Sequence, residues 1–500
     1  MTKTLDKNSG IWAQKSKFFI YRAVTYFSFL LFPIWIQKTV HLPQAAHVPI
    51  MILYMFFMMG QWFLFGKELD HRLKIYFRVN SSMDRILYRF LTGMIFFIIY
   101  FNLLSFLPHK WIYNSFWVTW VCLGLFYSWP TRGKIIKESV SSSFSEFRFL
   151  DSFEKTLVGL ILLMLVFSMP AFPQLTSFSA LKLFFDPSEA LSSHYWNFLM
   201  VNYYPFKSYP ELFKIAISMH FYYICLGLFL ICFYALLRYF VSRRLSLLGV
   251  FALISSWAFS KILDAHYGDS LQTTFALFAV WSILWITKSS TYRAGLFLGL
   301  LGYYGTIVNA AYSLILPLNI ALLYFVFLRD KTPWFRRQLL KYASFGALLA
   351  IVVLLGNSNF LEDFRAFELS TLIQNFKVIF ERKAINVLSI FGLIILLLKF
   401  SIPRLNLLKE FKIDSFKLFE LSTLIVLYGL FALFIDYRLI DSFSLMWPIV
   451  LFSLIPLELL FQSISRLRSK RNMIYLVYIL ICLLDSHFEG RVKIFIKLFE

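Results

Sequence analysis

Apolar runs of bilayer-crossing length recur from one end of this chain to the other, and no other feature restricts its fold so strongly. They fall at about 18–36, 47–65, 86–106, 111–128, 155–170, 215–237, 244–262, 269–287, 294–309, 311–328, 342–356, 384–399, 420–435, 444–461 and 472–484. A hydrocarbon layer about 30 Å thick is crossed by about 20 mostly apolar residues in a helix. The runs therefore predict an all-α, polytopic integral membrane helix bundle with roughly 13–15 transmembrane helices. The segment Gly302–Asn309 is the one place where a re-entrant break competes with a plain turn. Composition excludes the soluble alternative. With 59% hydrophobic, 20% aromatic and 15% charged residues, a water-facing chain has more apolar surface than its cores can hide.

The connections between runs alternate in charge. One series holds Lys67, Arg72, Lys74, Arg78 and Arg85; Arg132, Lys134, Lys137 and Arg148; Arg238, Arg243 and Arg244; and Lys288 and Arg293. It continues through Arg329, Lys331, Arg336, Arg337 and Lys341; Arg404, Lys409, Lys412 and Lys417; and Arg466, Arg468, Lys470 and Arg471. The connections between these carry few cations. The positive-inside rule places the basic series and the N-terminus in the cytoplasm. It also explains the net charge of +22 without a nucleic-acid partner. The polar opening Met1–Lys7 precedes a run with no small-residue cleavage site, which predicts an uncleaved first helix. Cys122, Cys225, Cys232 and Cys482 all lie inside apolar runs and read as small buried hydrophobes.

Polar chemistry gathers in the other set of loops, of which 171–214 and 357–383 are the longest. In Phe184-Phe-Asp-Pro-Ser-Glu-Ala-Leu-Ser-Ser-His194, Asp186 suits an N-cap, Pro187 the first helical position and Glu189 the first turn. That pattern makes either a capped interfacial helix or a carboxylate poised as a base at the water boundary. His194 follows two turns later, on roughly the same side. Asp264, His266 and Asp269 form a second polar group around a short outside loop. Asp269 either starts the next helix, at its positive dipole end, or joins the others as an oxygen/nitrogen site for a divalent cation. The outside cations available to a phosphate include Lys207, Arg365 and Lys377. Arg365 also has carboxylates beside it at Glu362 and Asp363. Glu458, inside an apolar run, is expected to face the bundle.

From about 155 to 328 the chain resembles the core of the GT-C glycosyltransferases, including the mannosyl- and aminoarabinose-transferring branches that use polyprenyl-phosphate sugars. The resemblance rests on Asp186-Pro-Ser-Glu189 and on Ala235-Leu-Leu-Arg-Tyr-Phe-Val-Ser-Arg-Arg-Leu-Ser-Leu-Leu-Gly249. It also rests on His266-Tyr-Gly-Asp269 and on Ala294-Gly-Leu-Phe-Leu-Gly-Leu-Leu-Gly-Tyr-Tyr304 with Leu314-Ile-Leu-Pro317. The chain departs from the family in separating its two acidic residues by Pro187 and Ser188, and in placing four spans before the core. The implied organisation is an N-terminal four-helix segment (1–130), a cytoplasmic linker (131–154), the core (155–328) and a C-terminal set of helices (329–500).

The resemblance implies an inverting glycosyltransferase in the cell inner membrane, working at its outer face. The donor would be a polyprenyl-phosphate-linked sugar lying in membrane lipid, and the acceptor a glycan, lipid or protein. Asp186 is then the first choice for the base and Glu189 the second, with His194 assisting. Lys207, Arg365 and Lys377 would hold the phosphate, and Asp264, His266 and Asp269 a divalent metal cation. Three other classes share the many-span pattern: a lipid-linked saccharide flippase or transporter, an O-antigen-type polymerase, and a non-catalytic membrane scaffold. A transporter should show repeated halves and paired charges at mid-membrane, and neither is evident in the sequence.

Overall fold

The computed structural model describes residues 2–39, 44–73, 82–104, 109–129, 150–167, 211–256, 291–308, 315–356, 383–401, 446–463 and 469–484, with a few single positions between them. Among these residues all regular structure is helical and no strand occurs. In chain order the helices are α1 Thr2–Thr39, α2 Gln44–Leu73, α3 Ser82–Leu104, α4 His109–Ser128, α5 Ser152–Phe167, α6 Glu211–Phe240 and α7 Arg243–Ile254. They continue as α8 Ala294–Val308, α9 Ile315–Leu322, α10 Pro333–Gly356, α11 Lys383–Ser401, α12 Met446–Ser463 and α13 Arg471–Leu484. Each apolar run that falls on described residues is helical; the runs at 269–287 and 420–435 lie almost wholly outside them. Gln14–Thr39 is the one described helical stretch both long and apolar enough to cross a bilayer by itself. Leu226–Phe240, Ala294–Tyr303, Leu316–Phe327, Ala384–Leu398, Met446–Phe461 and Arg471–Leu484 are shorter apolar helices.

Local sequence explains where several helices begin and end. Thr332 caps α10, its hydroxyl accepting the Phe335 N–H at 3.3 Å, and Pro333 fills the first helical position, where no N–H is needed. Helix α7 closes at Ile254, short of the expected 262. Ser255 Oγ turns back to the Ala252 carbonyl at 3.1 Å, and Ser256 Oγ takes the Phe259 N–H at 3.1 Å. Two adjacent hydroxyls thus offer the backbone a local alternative to helix. Helix α8 runs unbroken through Gly302 to Val308, so the break considered at Gly302–Asn309 does not begin before that point. A single π turn, Leu323–Phe327, follows α9.

The helices belong to two compact units, α1–α4 in one and α5 with Ile224 onward in the other. In the first unit α1 packs on α2 and α4, and α2 on α3. Gly66 and Gly93 let the α2 and α3 backbones meet: a Cβ on either would fall on the facing main chain, Arg89 or Trp62. Gly124 of α4 likewise leaves the space that the Tyr26 ring of α1 fills. Phe97 and Trp120 stack at 5.6 Å between α3 and α4. Arg22, midway along α1, donates to the Trp129 carbonyl just after α4 at 3.3 Å, while Tyr26 one turn further on meets Gly124 earlier in α4, so α1 and α4 are antiparallel.

The second unit is built from pairs whose direction can be read from their contacts. Helices α8 and α10 are parallel, because Gly295 meets Leu339 and Gly299 meets Gly346 further along both. Gly295 and Gly299 form a small-xxx-small step that lets two backbones touch, the device that favours association where no hydrophobic drive exists between helices. Helices α11 and α12 are also parallel: Ser389 Oγ lies 2.6 Å from the Ile449 carbonyl, and Gly392 abuts Phe452. The Ser389 hydroxyl is equally near its own helix, 2.7 Å from the Ile385 carbonyl. Helix α13 runs against α12, with Ser453 Oγ and Tyr478 OH 3.0 Å apart and Phe461 beside Tyr475.

On two helices the outward face is apolar as well. On α11, Val387, Ile390, Phe391, Ile394, Leu397 and Leu398 are all exposed, and Phe391 is 58% so. On α13, Met473, Leu476, Val477, Leu480 and Leu484 are exposed opposite the buried Tyr475, Tyr478 and Cys482. Contiguous apolar stripes of this extent are rare on proteins that face water.

Candidate functional site

Eight of the residues singled out from sequence lie outside the described set: Asp186, Glu189, His194, Lys207, Asp264, His266, Asp269 and Arg365. Lys377 is described; it is helical and exposed. Among the described residues no group of three or more His, Cys, Asp or Glu side chains converges as a metal site would require.

The most organised polar cluster that is described lies where α5, α7 and α13 begin. Asp151 and Glu154 cap α5 reciprocally. The Glu154 N–H donates to Asp151 Oδ1 at 2.8 Å, and the Asp151 N–H donates to Glu154 Oε2 at 3.0 Å. Two donors that the first turn would otherwise leave unsatisfied are thereby paired, in the manner of a capping box. Each carboxylate then uses its second oxygen on α7. Arg243 Nε reaches Glu154 Oε1 at 2.6 Å. Arg244 grips Asp151 Oδ2 with Nε at 2.9 Å and Nη2 at 2.5 Å.

Surroundings make the two pairs unequal. The Glu154 side chain is 1% exposed, whereas Arg243 is 39% exposed; Asp151 and Arg244 both stand about a third in solvent. Burial pushes the Asp151 carboxyl up, but the Glu154 N–H and the Arg244 guanidinium outweigh it and hold the group below its ordinary value. The hydrogen bond to Glu154 holds the Arg243 guanidinium above its own, against the opposing effect of burial. On the third side Tyr475 of α13 packs between Phe153 at 5.3 Å and Phe461 at 5.2 Å. Half-buried Glu458 and the cations Arg244 and Arg471 lie within electrostatic reach of Tyr475. Glu458 therefore sits among the bundle's polar groups, as expected from its sequence position.

Chemically this cluster is a clasp. Both carboxylates are engaged by an arginine and a backbone donor, which leaves neither poised to accept a proton from a substrate. What it does is fix the starts of α5 and α7 side by side and pointing the same way. Sequence reasoning found Arg243 and Arg244 but missed their partners. Asp151-Ser-Phe-Glu154, directly before an apolar run, carried the capping signature that would have found them.

A comparable fixing point exists between α9 and α10. The Arg336 guanidinium donates to the Tyr324 carbonyl at 3.1 Å and lies over the Tyr324 ring at 4.9 Å. Tyr324 belongs to the π turn, where irregular hydrogen bonding makes a carbonyl available to a side chain. Compared with family models, curated proteins and solved structures, the chain matches none of them.

Proposed function

We propose that the chain is a polytopic membrane glycosyltransferase that moves a sugar from a polyprenyl-phosphate donor to an acceptor at the extracytoplasmic face. The observation that carries the membrane part is the agreement between charge alternation and helix direction. Alternation makes α5, α7, α8, α10 and α13 run outward and α9, α11 and α12 inward. The pairs α8–α10 and α11–α12 are parallel, α5 and α7 begin together, and α12–α13 is antiparallel. Reversing any one of these helices other than α9 would break a pair. The apolar stripes on α11 and α13 are surfaces that lipid would cover. Helices shorter than a full span fit within a bundle whose neighbours and flanking residues adjust to local thickness.

The catalytic part rests on the resemblance over 155–328. In this reading Asp186 takes the proton from an acceptor hydroxyl as its oxygen attacks the anomeric carbon. The bond from that carbon to the phosphate oxygen breaks, and the lipid phosphate leaves with the electron pair. Attack opposite the leaving group inverts the anomeric centre. Lys207, Arg365 and Lys377 are assigned to the departing phosphate, and Glu189 and His194 to support of the base. Asp264, His266 and Asp269 offer carboxylate and imidazole donors that suit a divalent ion.

The test purifies the full chain with Asp186→Asn and Asp269→Asn, and assays sugar release from polyprenyl-phosphate donors in liposomes. Loss in both variants with activity in the parent supports the site. Full activity in both removes it, and an inactive parent turns the reading toward transport or scaffolding. Topology is checked separately. In a background lacking the native cysteines, a cysteine at Ser192 should react with an impermeant maleimide on intact cells, while one at Ser152 or Ser469 should not.

A further inference from the structure

We infer that the exposed face of α10 binds one anionic phospholipid of the cytoplasmic leaflet. This rests on the membrane reading above and on none of its catalytic residues. Trp334, Arg337, Lys341, Phe345 and Leu348 recur every three or four residues and so fall within about 80° of the helix circumference. All five are exposed, Leu348 at 64%. Aromatic, cationic and apolar groups therefore follow one another down a single stripe of one helix, and exposed Ile351 continues it at the edge. Side chains on a helix tilt toward its N-terminus, so both cations lean to the cytoplasmic boundary at Pro333. From Lys341 to Ile351 the helix descends about 15 Å, which matches one leaflet of a hydrocarbon core about 30 Å thick. A phosphate beside Arg337 and Lys341 would thus lay an acyl chain along Phe345, Leu348 and Ile351. Trp334 is held in place for the headgroup level: Tyr292, just before α8, meets its ring edge-on at 5.3 Å.

Charge selects the occupant. Between Lys288 and Gly356 the sequence holds one carboxylate, Asp330, and Arg329 stands 3.7 Å from it. Neighbouring cations are engaged elsewhere: Arg336 on the Tyr324 carbonyl and ring, and Lys331 over the Phe335 ring at 5.9 Å. Among the described residues no carboxylate lies within ion-pair distance of Arg337 or Lys341. Two exposed cations one turn apart, above an apolar track, are the complement of a lipid phosphate.

The experiment carries the full chain in nanodiscs of phosphatidylcholine with graded phosphatidylglycerol and reads retained lipid by native mass spectrometry after release. Arg337→Gln/Lys341→Gln is compared with the parent and with Lys155→Gln/Lys470→Gln, which removes equal charge from exposed positions near the starts of α5 and α13. Each cation at a membrane surface is worth about a fivefold change in binding, so the first variant should retain phosphatidylglycerol about 30-fold less well while the second matches the parent. Phe345→Ser/Leu348→Ser keeps both cations and should also weaken retention. Unchanged retention in that variant, or displacement of the lipid by an equal concentration of glycerol phosphate, overturns the site, because the apolar track would then contribute nothing. Equal loss in both charge variants, or phosphatidylglycerol retained in proportion to its bulk fraction without saturation, also overturns it. A parent chain recovered in the soluble fraction without detergent refutes the membrane reading instead, so the two failures are distinguishable.

Discussion

Removing one partner of the Glu154–Arg243 pair should have effects that depend strongly on which partner is removed. In Arg243→Met the alkyl stem remains but Glu154 is left charged at 1% exposure. Stranding a buried charge costs about 3–5 kcal/mol, and the surviving bond from the Asp151 N–H at 3.0 Å argues for the lower figure, about 3 kcal/mol. In Glu154→Gln the amide oxygen keeps the Asp151 N–H, and Arg243, already 39% exposed, turns to water, so the loss should be about 1 kcal/mol. The double variant strands nothing and should lose little more than the weaker single change, which gives a coupling of roughly 3 kcal/mol. Unfolding by SDS titration in mixed micelles, with all four proteins refolded under one set of conditions, measures the cycle. Equal losses in the two single variants, or additivity within about 0.5 kcal/mol, would show that Glu154 is not held as described and that the clasp is ornamental.

Two further expectations concern backbone contact and pH. Gly346→Leu drives a side chain into the Gly299 main chain and should cost about 3 kcal/mol or more. Gly159→Ala, where a Cβ meets nothing within 4 Å, should gain about 0.5–1 kcal/mol from helix propensity; the same SDS titration reads both, and a matching loss at Gly159 would refute the packing argument. Asp151 titrates below its ordinary value, so its stabilisation is complete above the unfolded aspartate pKa of about 3.9 and is lost as pH falls through the lower folded value. Stability followed from pH 6 downward to about 2 should therefore fall less steeply in Asp151→Asn than in the parent; parallel curves would show that the Arg244 contact does not persist in solution.

Much of the helical frame was legible, and particular residues show why. Runs of apolar residues located the described helices; on the membrane reading, a helix in lipid needs no partner to satisfy its backbone. Pairing was not legible. Gly295 and Gly299 were read as part of a Leu- and Gly-rich stretch, and nothing in sequence says that Ala343 and Gly346 face them. With both faces of a helix apolar, periodicity no longer reports which face is inward. The stop at Ser255 was missed for the opposite reason: two hydroxyls in a long apolar run changed the backbone without changing hydropathy. The proposed catalytic residues, from Asp186 to Arg365, fall in polar connections, where no periodic pattern constrains the chain.

The parallel pairing of α11 and α12 bears on how the protein is made. In the proposed membrane bundle, parallel neighbours cannot be consecutive spans, so α11 would leave the ribosome and enter the bilayer before its partner has been synthesised. During that interval Ser389 would be a bare hydroxyl in hydrocarbon, were it not for the Ile385 carbonyl 2.7 Å away on its own helix. When α12 arrives, the Ile449 carbonyl offers a second acceptor at 2.6 Å, and the single proton needs only a rotation about the Cβ–Oγ bond to serve either. On the membrane reading, a serine at this position would let a helix wait alone in the bilayer and still recognise a neighbour that emerges later.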